Sequence, residues 1–213
     1  MLVYPGAMPT RKGQAMEKLD FSKTYKDLYG ASQRVKEVTA EKGTFLFVDG
    51  QGEPGGEAYT AAIGRLFPVA YTLKFAHKAA GDFDFAVSKI ETLWFDEPGE
   101  VPMSQWRWRI LVRVPDSINK AEVAGTKKQI AKEKSADVAV VGLISFKEGR
   151  CLQVTHVGPY GRLHESYAKL EAYATEAGLA VSGPAHEIYI SDPRRTAPER
   201  LKTIVRLPVK SSS

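Results

Sequence analysis

Cysteine is almost missing from this 213-residue chain, and Cys151 alone represents it. A lone cysteine excludes an internal disulfide and a cysteine metal cluster, and it reads as a buried, inert thiol in a reducing compartment. No stretch approaches the roughly 18 consecutive apolar residues of a membrane span. The N-terminus also lacks the basic-then-apolar order of a secretory signal, so a soluble, cytoplasmic protein is expected. The four histidines, His77, His156, His164 and His186, show neither HExxH nor another ligand spacing, and no metal is expected. "GQGEPGG" lacks the lysine and Ser/Thr of a phosphate loop and the order of a dinucleotide fingerprint, and no GxSxG elbow occurs. No cofactor is therefore expected. Charge of one sign is scarce as well. Thirty basic residues stand against twenty-five acidic ones, a net +5, and they are mixed along the chain. The run "TKKQIAKEK" reads as the solvated face of a helix. Without interleaved aromatics or a helix-turn-helix pattern, direct nucleic-acid binding is not expected.

What is present is a repeated order of elements. "TFLFVDGQGEPGG" is a short Phe- and Val-rich strand ending in glycine and proline. In "EAYTAAIGRLFPVAYTLKFAHK", Ala62, Leu66, Val69 and Leu73 recur at helical spacing, and Pro68 inside the pattern predicts a kink. "DFDFAVSKIETLWF" and "QWRWRILVRVP" are two strands joined by "DEPGEVPMS". After a charged helical link, "SINKAEVAGTKKQIAKEKSADVA", the order returns. "RCLQVTHVGPY" is the strand, and Leu163, Tyr167, Leu170 and Ala174 mark a helix stopping near Gly178, a suitable left-handed C-cap. "HEIYISD" and "LKTIVRLPV" complete the second hairpin.

Aligned on their glycine exits, "FLFVDGQG" and "CLQVTHVG" match, and "IETLW" falls where "HEIYI" does. The fold class is α+β: duplicated β-α-β-β units related by a pseudo-twofold, antiparallel sheets with helices on one side, and a central ligand groove. The expected organisation is a tail over 1–17, one domain over 18–210 with repeats at about 43–116 and 138–210, and a tail at 211–213. Each repeat carries a Glu in its strand, Glu91 and Glu187, which symmetry would place at related positions. Alternation puts Glu187 with Tyr189 on one face and His186, Ile188 and Ile190 on the other. Trp106 and Trp108, two apart, also share a face.

"GRCLQVTHVGPY", "HEIYISDPRRTAPERLKTIVRLPV", "KIETLWF" and "RVPD" together resemble the GyrI-like small-molecule-binding superfamily, from about Lys18 to Val209. The longer "YKDLY…FLFVDGQGEP…LW…W…RVPD" pattern is similar to its stand-alone branch of cyclopropanoid cyclopropyl hydrolases, which open the strained ring of flat DNA-alkylating natural products. The resemblance implies a hydrophobic, aromatic groove with a buried carboxylate, and Glu187, in "HEIYIS", inherits the functional role. It implies aromatic walls at Trp94, Trp108, Tyr71 and Tyr160, with Tyr189 and Glu91 as further ligand-binding candidates. The chain departs from relatives in carrying Phe95 in place of a second Trp, and an extra Trp106.

A carboxylate in a water-poor groove loses solvation unless a cation or donors compensate. Glu187 is then either a counter-ion for a cationic ligand or a general base. As base it would take the proton from a water attacking the cyclopropane, while Tyr71 or Tyr160 donates to the developing phenolate. The expected partner is a planar hydrophobic small molecule. The rival readings are a non-catalytic module binding or sequestering hydrophobic cations, and a protein-interaction module acting on gyrase. Oligomeric state is not legible in the residues.

Overall fold

The computed structural model describes residues 18–96, 99–134 and 137–212. The expected N-terminal tail lies outside them, as do Glu97 and Pro98 of the first hairpin turn, Ser135 and Ala136 of the link, and Ser213. The chain opens with β1 (Lys18–Leu19), α1 (Phe21–Thr24), α2 (Lys26–Tyr29) and β2 (Lys36–Ala40). The first unit follows: β3 (Gly43–Gln51), α3 (Glu57–Ala80), β4 (Asp84–Phe85), β5 (Ile90–Trp94) and β6 (Arg107–Val114). Next come the linking α4 (Lys120–Lys134) and β7 (Gly142–Phe146). The second unit is β8 (Gly149–Val157), α5 (His164–Glu176), β9 (Leu179–Val181), β10 (Ala185–Tyr189) and β11 (Lys202–Ser211).

The expected elements form, with four differences. The stretch read as one strand from Asp82 breaks in two. Asp84 and Phe85 pair with Lys18 and Leu19 in a separate two-stranded ribbon, and β5 begins only at Ile90. Asp84 is held there by Lys74 of α3. Secondly, α3 continues through Pro68 as one helix of 24 residues. Its buried side, from Tyr59 through Ala62, Leu66, Val69 and Leu73, carries it past the missing N–H. Thirdly, β11 runs one residue into the stretch read as tail, because Ser211 pairs with Leu179. Lastly, the short strands β2 and β7 belong to the sheet. Gly178, at φ 64°, ends α5 as its sequence position predicts.

One nine-stranded sheet results, in the order β2-β8-β11-β10-β5-β6-β3-β7, with β9 beside the end of β11. The antiparallel β5–β10 pair lies at its centre. On one flank run β6 and β3, on the other β11 and β8, so the two units are related by a pseudo-twofold through the middle. The exit glycines confirm the match, since Gly52 and Gly158 have φ of 136° and 143°. Superposing these exits through the strand registers places Thr92 where Glu187 stands, and those two residues are direct partners across the central pair. The axis passes between them. Glu91 therefore corresponds to His186, not to Glu187.

The strand preceding each unit is exchanged between them. β2 runs directly into β3 yet pairs with β8, and β7 runs directly into β8 yet pairs with β3. Only Glu41 and Lys42 join β2 to β3, a span of at most roughly 11 Å. Because these strands stand near opposite ends of the order, the sheet must curl until its ends approach one another. Outside the curl, α3 covers Leu46, Val48, Ile110 and Val112, and α5 covers Leu152, Val154, Val205 and Leu207. Inside it, α1 and α2 cap a face that carries Glu91, His186 and Arg206.

Candidate functional site

Between the helix-covered flanks, the outer face of the central pair holds Glu187, Tyr189, Thr92 and Trp94. Period-two alternation puts them there, and the cross-strand partners Glu187–Thr92 and Ala185–Trp94 fix the register. Glu187 is only 7% exposed. Its Oε1 accepts a hydrogen bond from the Tyr167 hydroxyl of α5 at 2.7 Å, and its Oε2 one from the Tyr189 hydroxyl at 2.7 Å. Burial, and then the Glu187 charge, lift both phenols well above the usual tyrosine range, which keeps them protonated and donating. Each carboxylate oxygen retains a second lone-pair direction for a water or ligand proton.

The related contact on the first unit is Tyr59 of α3, whose hydroxyl lies 2.6 Å from Thr92 Oγ1 and donates to Tyr189 Oη at 3.3 Å. Tyr59 and Tyr167 thus enter from the first turns of the two helices, on either side of the axis. Burial raises the Tyr59 phenol to about 12. The chain Tyr59–Tyr189–Glu187–Tyr167 crosses the junction of the two units.

Aromatic rings line the site. Tyr59 stacks on Trp94 at 5.7 Å and 4° between planes, and meets Trp108 edge-on at 5.3 Å and 78°. Trp106 stands edge-on to Trp94 at 5.7 Å, and Tyr160 edge-on to Tyr189 at 5.7 Å. The two central indoles are cross-strand partners flanked by Gly50 and Ala185. Gly50 makes room for Trp108, since a methyl there would collide with the indole. Trp108 Nε1 donates to the Gly52 carbonyl at 3.2 Å, and Trp106 Nε1 to the Val101 carbonyl at 3.2 Å. Trp94 Nε1, by contrast, is buried without a partner among the described residues. An orphaned indole donor beside a buried carboxylate is a place for a ligand oxygen. A cleft of about 250 Å³ lined by Gly52, Glu53, Gly56, Glu57, Ala58 and Ser104 opens next to this cluster, sharing Gly52 with it.

Trp94, Trp106, Trp108, Tyr160 and Tyr189 thus come together with Glu187. Two other candidates do not. Tyr71 points away on the outer side of α3, 46% exposed and packed between Phe67 and Phe75. It lies about 140° around the helix from Leu66. Glu91 faces the inside of the curl, where the Tyr29 hydroxyl donates to it at 2.9 Å and His186 Nε2 approaches to 3.1 Å. Sequence reading missed Tyr59, Tyr167 and Thr92 as site residues. Tyr167 had been assigned to the apolar stripe of its helix, and its hydroxyl, aimed at a sheet face that carries Glu187, was the available signal.

Cys151 is fully buried, and burial lifts its thiol to about 12, matching the expected inert role. His156 is tied to Ser166 and the Pro159 carbonyl, and His77 to Asp82 and Glu122. No group of three or more potential metal ligands occurs among the described residues. Nor is any described helix long and apolar enough to cross a membrane.

Comparison with known proteins agrees with this architecture. A structure from Listeria innocua, described as an uncharacterized conserved protein, is 35% identical over 91% of this chain and all of its own, with a TM-score of 0.85. Two structures of a hydrolase from Listeria innocua are 34% and 33% identical, cover the same shares and superpose with TM-scores of 0.83 and 0.84. No match was found among curated proteins. The model of the GyrI-like small molecule binding domain matches residues 33–210, and the chain belongs to that family.

Proposed function

We propose that the protein is a hydrolase that opens the cyclopropane of planar, DNA-alkylating cyclopropanoid compounds by adding water. The observation that carries this reading is Glu187, a buried carboxylate held by two neutral tyrosine donors and joined through Tyr189 and Tyr59 to the indole cluster. The hydrolases from Listeria innocua, alike over nearly the whole chain, support the reaction class. Indole and phenol rings suit a flat polycyclic ligand, each good aromatic pair contributing roughly 0.5–1.5 kcal/mol beyond burial. With the ring system against Trp94, Trp106 and Trp108, Glu187 takes a proton from water as the oxygen attacks the least hindered cyclopropane carbon. The C–C bond breaks, its electron pair enters the conjugated dienone, and the ring becomes a phenolate that is then protonated. Hydroxyl goes to carbon and hydrogen to oxygen, so one water is consumed.

Donors to the phenolate come from the groove side. Tyr160, edge-on to Tyr189, keeps the role expected of it, and the unpaired Trp94 N–H is a second donor. Tyr71, on the outer side of α3, is not assigned a part.

A second reading has one observation in its favour. The contacts of Glu187 are with neutral hydroxyls, which leaves its negative charge available to a hydrophobic cation. Incubation of the protein with a cyclopropanoid alkylator, followed by mass spectrometry, separates the two. Catalytic formation of the ring-opened, water-added product supports the hydrolase. Stoichiometric binding with the cyclopropane intact, together with tighter binding of planar cations, would replace it with the binder.

A further inference from the structure

The outer side of α3 carries aromatic rings that neither the core nor the Glu187 site uses. Phe67, Tyr71 and Phe75 follow one another at intervals of four residues, each ring 6.1 Å from the next. Tyr71 is 46% exposed and Phe75 57%, whereas Leu66, Val69 and Leu73 on the core side of the same helix are buried. A contiguous row of exposed rings marks an interaction surface, which a single exposed ring would not.

The helical wheel extends this row in both directions. At 100° per residue, Glu57, Thr60, Gly64, Phe67, Tyr71, Phe75 and Lys78 fall within a stripe about 80° wide along roughly 32 Å of the helix. Its two halves are unlike. The N-terminal half is small and acidic, and a side chain at Gly64 would meet open space. The C-terminal half is large and basic. Glu57 has no ion-pair partner among the described residues, and exposed Lys78 reaches Asp84 only at 3.5 Å.

Turned end to end, the stripe fits itself. With a second α3 laid antiparallel on the first and the two-fold axis between residues 67 and 68, Gly64 faces the partner's Tyr71, Thr60 faces the partner's Phe75 and Glu57 faces the partner's Lys78. Large rings then enter the gaps beside small residues, and opposite charges meet at both ends. A parallel pairing would set ring on ring, gap on gap and like charge on like charge.

We propose that this face of α3 is the contact through which two copies of the chain form an isologous, antiparallel dimer, with Tyr71 and Phe75 of each copy seated over Gly64 and Thr60 of the other. A strip roughly 32 Å long and 10 Å wide is smaller than the roughly 800 Å² per partner of a standard interface, so the dimer is weak and reversible. It does not depend on the activity assigned to Glu187.

Sedimentation velocity of the full chain between about 5 and 500 µM tests this. The average mass should climb reversibly towards twice that of the monomer, with a Kd between about 10 and 500 µM. Gly64→Leu fills the gap while replacing a poor helix former with a good one, so the variant folds, and it should weaken association by at least about tenfold. Glu57→Lys and Lys78→Glu should each weaken it about 3- to 30-fold, and the chain carrying both exchanges should recover. Should a charge variant fail to fold, the wild type and Gly64→Leu still decide. A chain that stays monomeric throughout, its stripe bare or covered by its own residues 1–17, would overturn the proposal, as would association unchanged by Gly64→Leu or by the charge reversals.

Discussion

Glu187 owes its setting to two phenols, so the first expectations concern single side chains. Tyr167→Phe removes one of its two donors and leaves a buried carboxylate oxygen underbonded, a loss on the order of 1.5–3 kcal/mol for a charge-assisted bond. Urea denaturation should register that loss, and the same variant should lower turnover more than it weakens ligand binding. Gly50→Ala acts from the opposite direction. The added methyl meets the Trp108 indole, and overpacking there should cost about 1–3 kcal/mol in urea denaturation and change the tryptophan emission. Tyr71→Ala should leave turnover unchanged, since that ring stands on the outer side of α3.

Parts of this residue-scale picture were open to sequence reading. Glu187, Tyr189 and the indoles follow from alternation along strands and from the family resemblance. Parity alone separates Glu91 from Trp94, three residues apart on one strand and so on opposite faces, and the helical wheel removes Tyr71 from the stripe of Leu66, Val69 and Leu73. Tyr59 and Tyr167 were hidden for a different reason. A tyrosine on an apolar stripe looks like core until the register of the facing sheet shows which polar group its hydroxyl meets.

At the scale of elements, the central β5–β10 pair is held on its inner face by Glu91, His186, Glu148 and Arg206. His186 has its pKa raised from about 6.5 to about 9, so its stabilising contribution is complete below 6.5 and is lost as pH rises through 9. Glu148 behaves oppositely. Burial pushes its carboxyl up, but His186 and Arg206 outweigh this and hold it at about 2, so its contribution is present above about 4.5 and is lost as pH falls toward 2. Thermal melting against pH should therefore show a plateau between about 4.5 and 6.5 with a decline on each side. His186→Gln should flatten the alkaline decline, and an unchanged alkaline limb in that variant would contradict this account. The elements themselves were largely legible, because long periodic segments such as α3, β6 and β8 announce their type. The short β2, β7 and β9 were not, since they fall outside the repeated order of elements by which the equally short β5 and β10 are read, and form here by pairing with distant partners.

For the whole molecule, the exchange of β2 and β7 means that neither unit is complete alone. Each borrows an outer strand from the segment preceding the other. The two should therefore unfold together. All three tryptophans belong to the first unit, whereas far-ultraviolet circular dichroism senses both, so the two signals should give one coincident urea midpoint. Separate midpoints would show that the units are independent. The duplication could be read from the repeated order of elements and the matching glycine exits. The exchange could not, because strand partners far apart in sequence leave no local trace.

The proposed function depends most heavily on Glu187 as the base that activates water beside a ring held by indoles. Reaction of a cyclopropanoid alkylator in ¹⁸O-labelled water, compared between the wild type and Glu187→Gln with mass spectrometry of the product, addresses that claim most directly. The expected result is one ¹⁸O in the ring-opened product of the wild type and a rate lower by about 10²- to 10⁴-fold in a folded Glu187→Gln variant. Undiminished turnover in that variant, or product oxygen that does not come from the solvent, would contradict it.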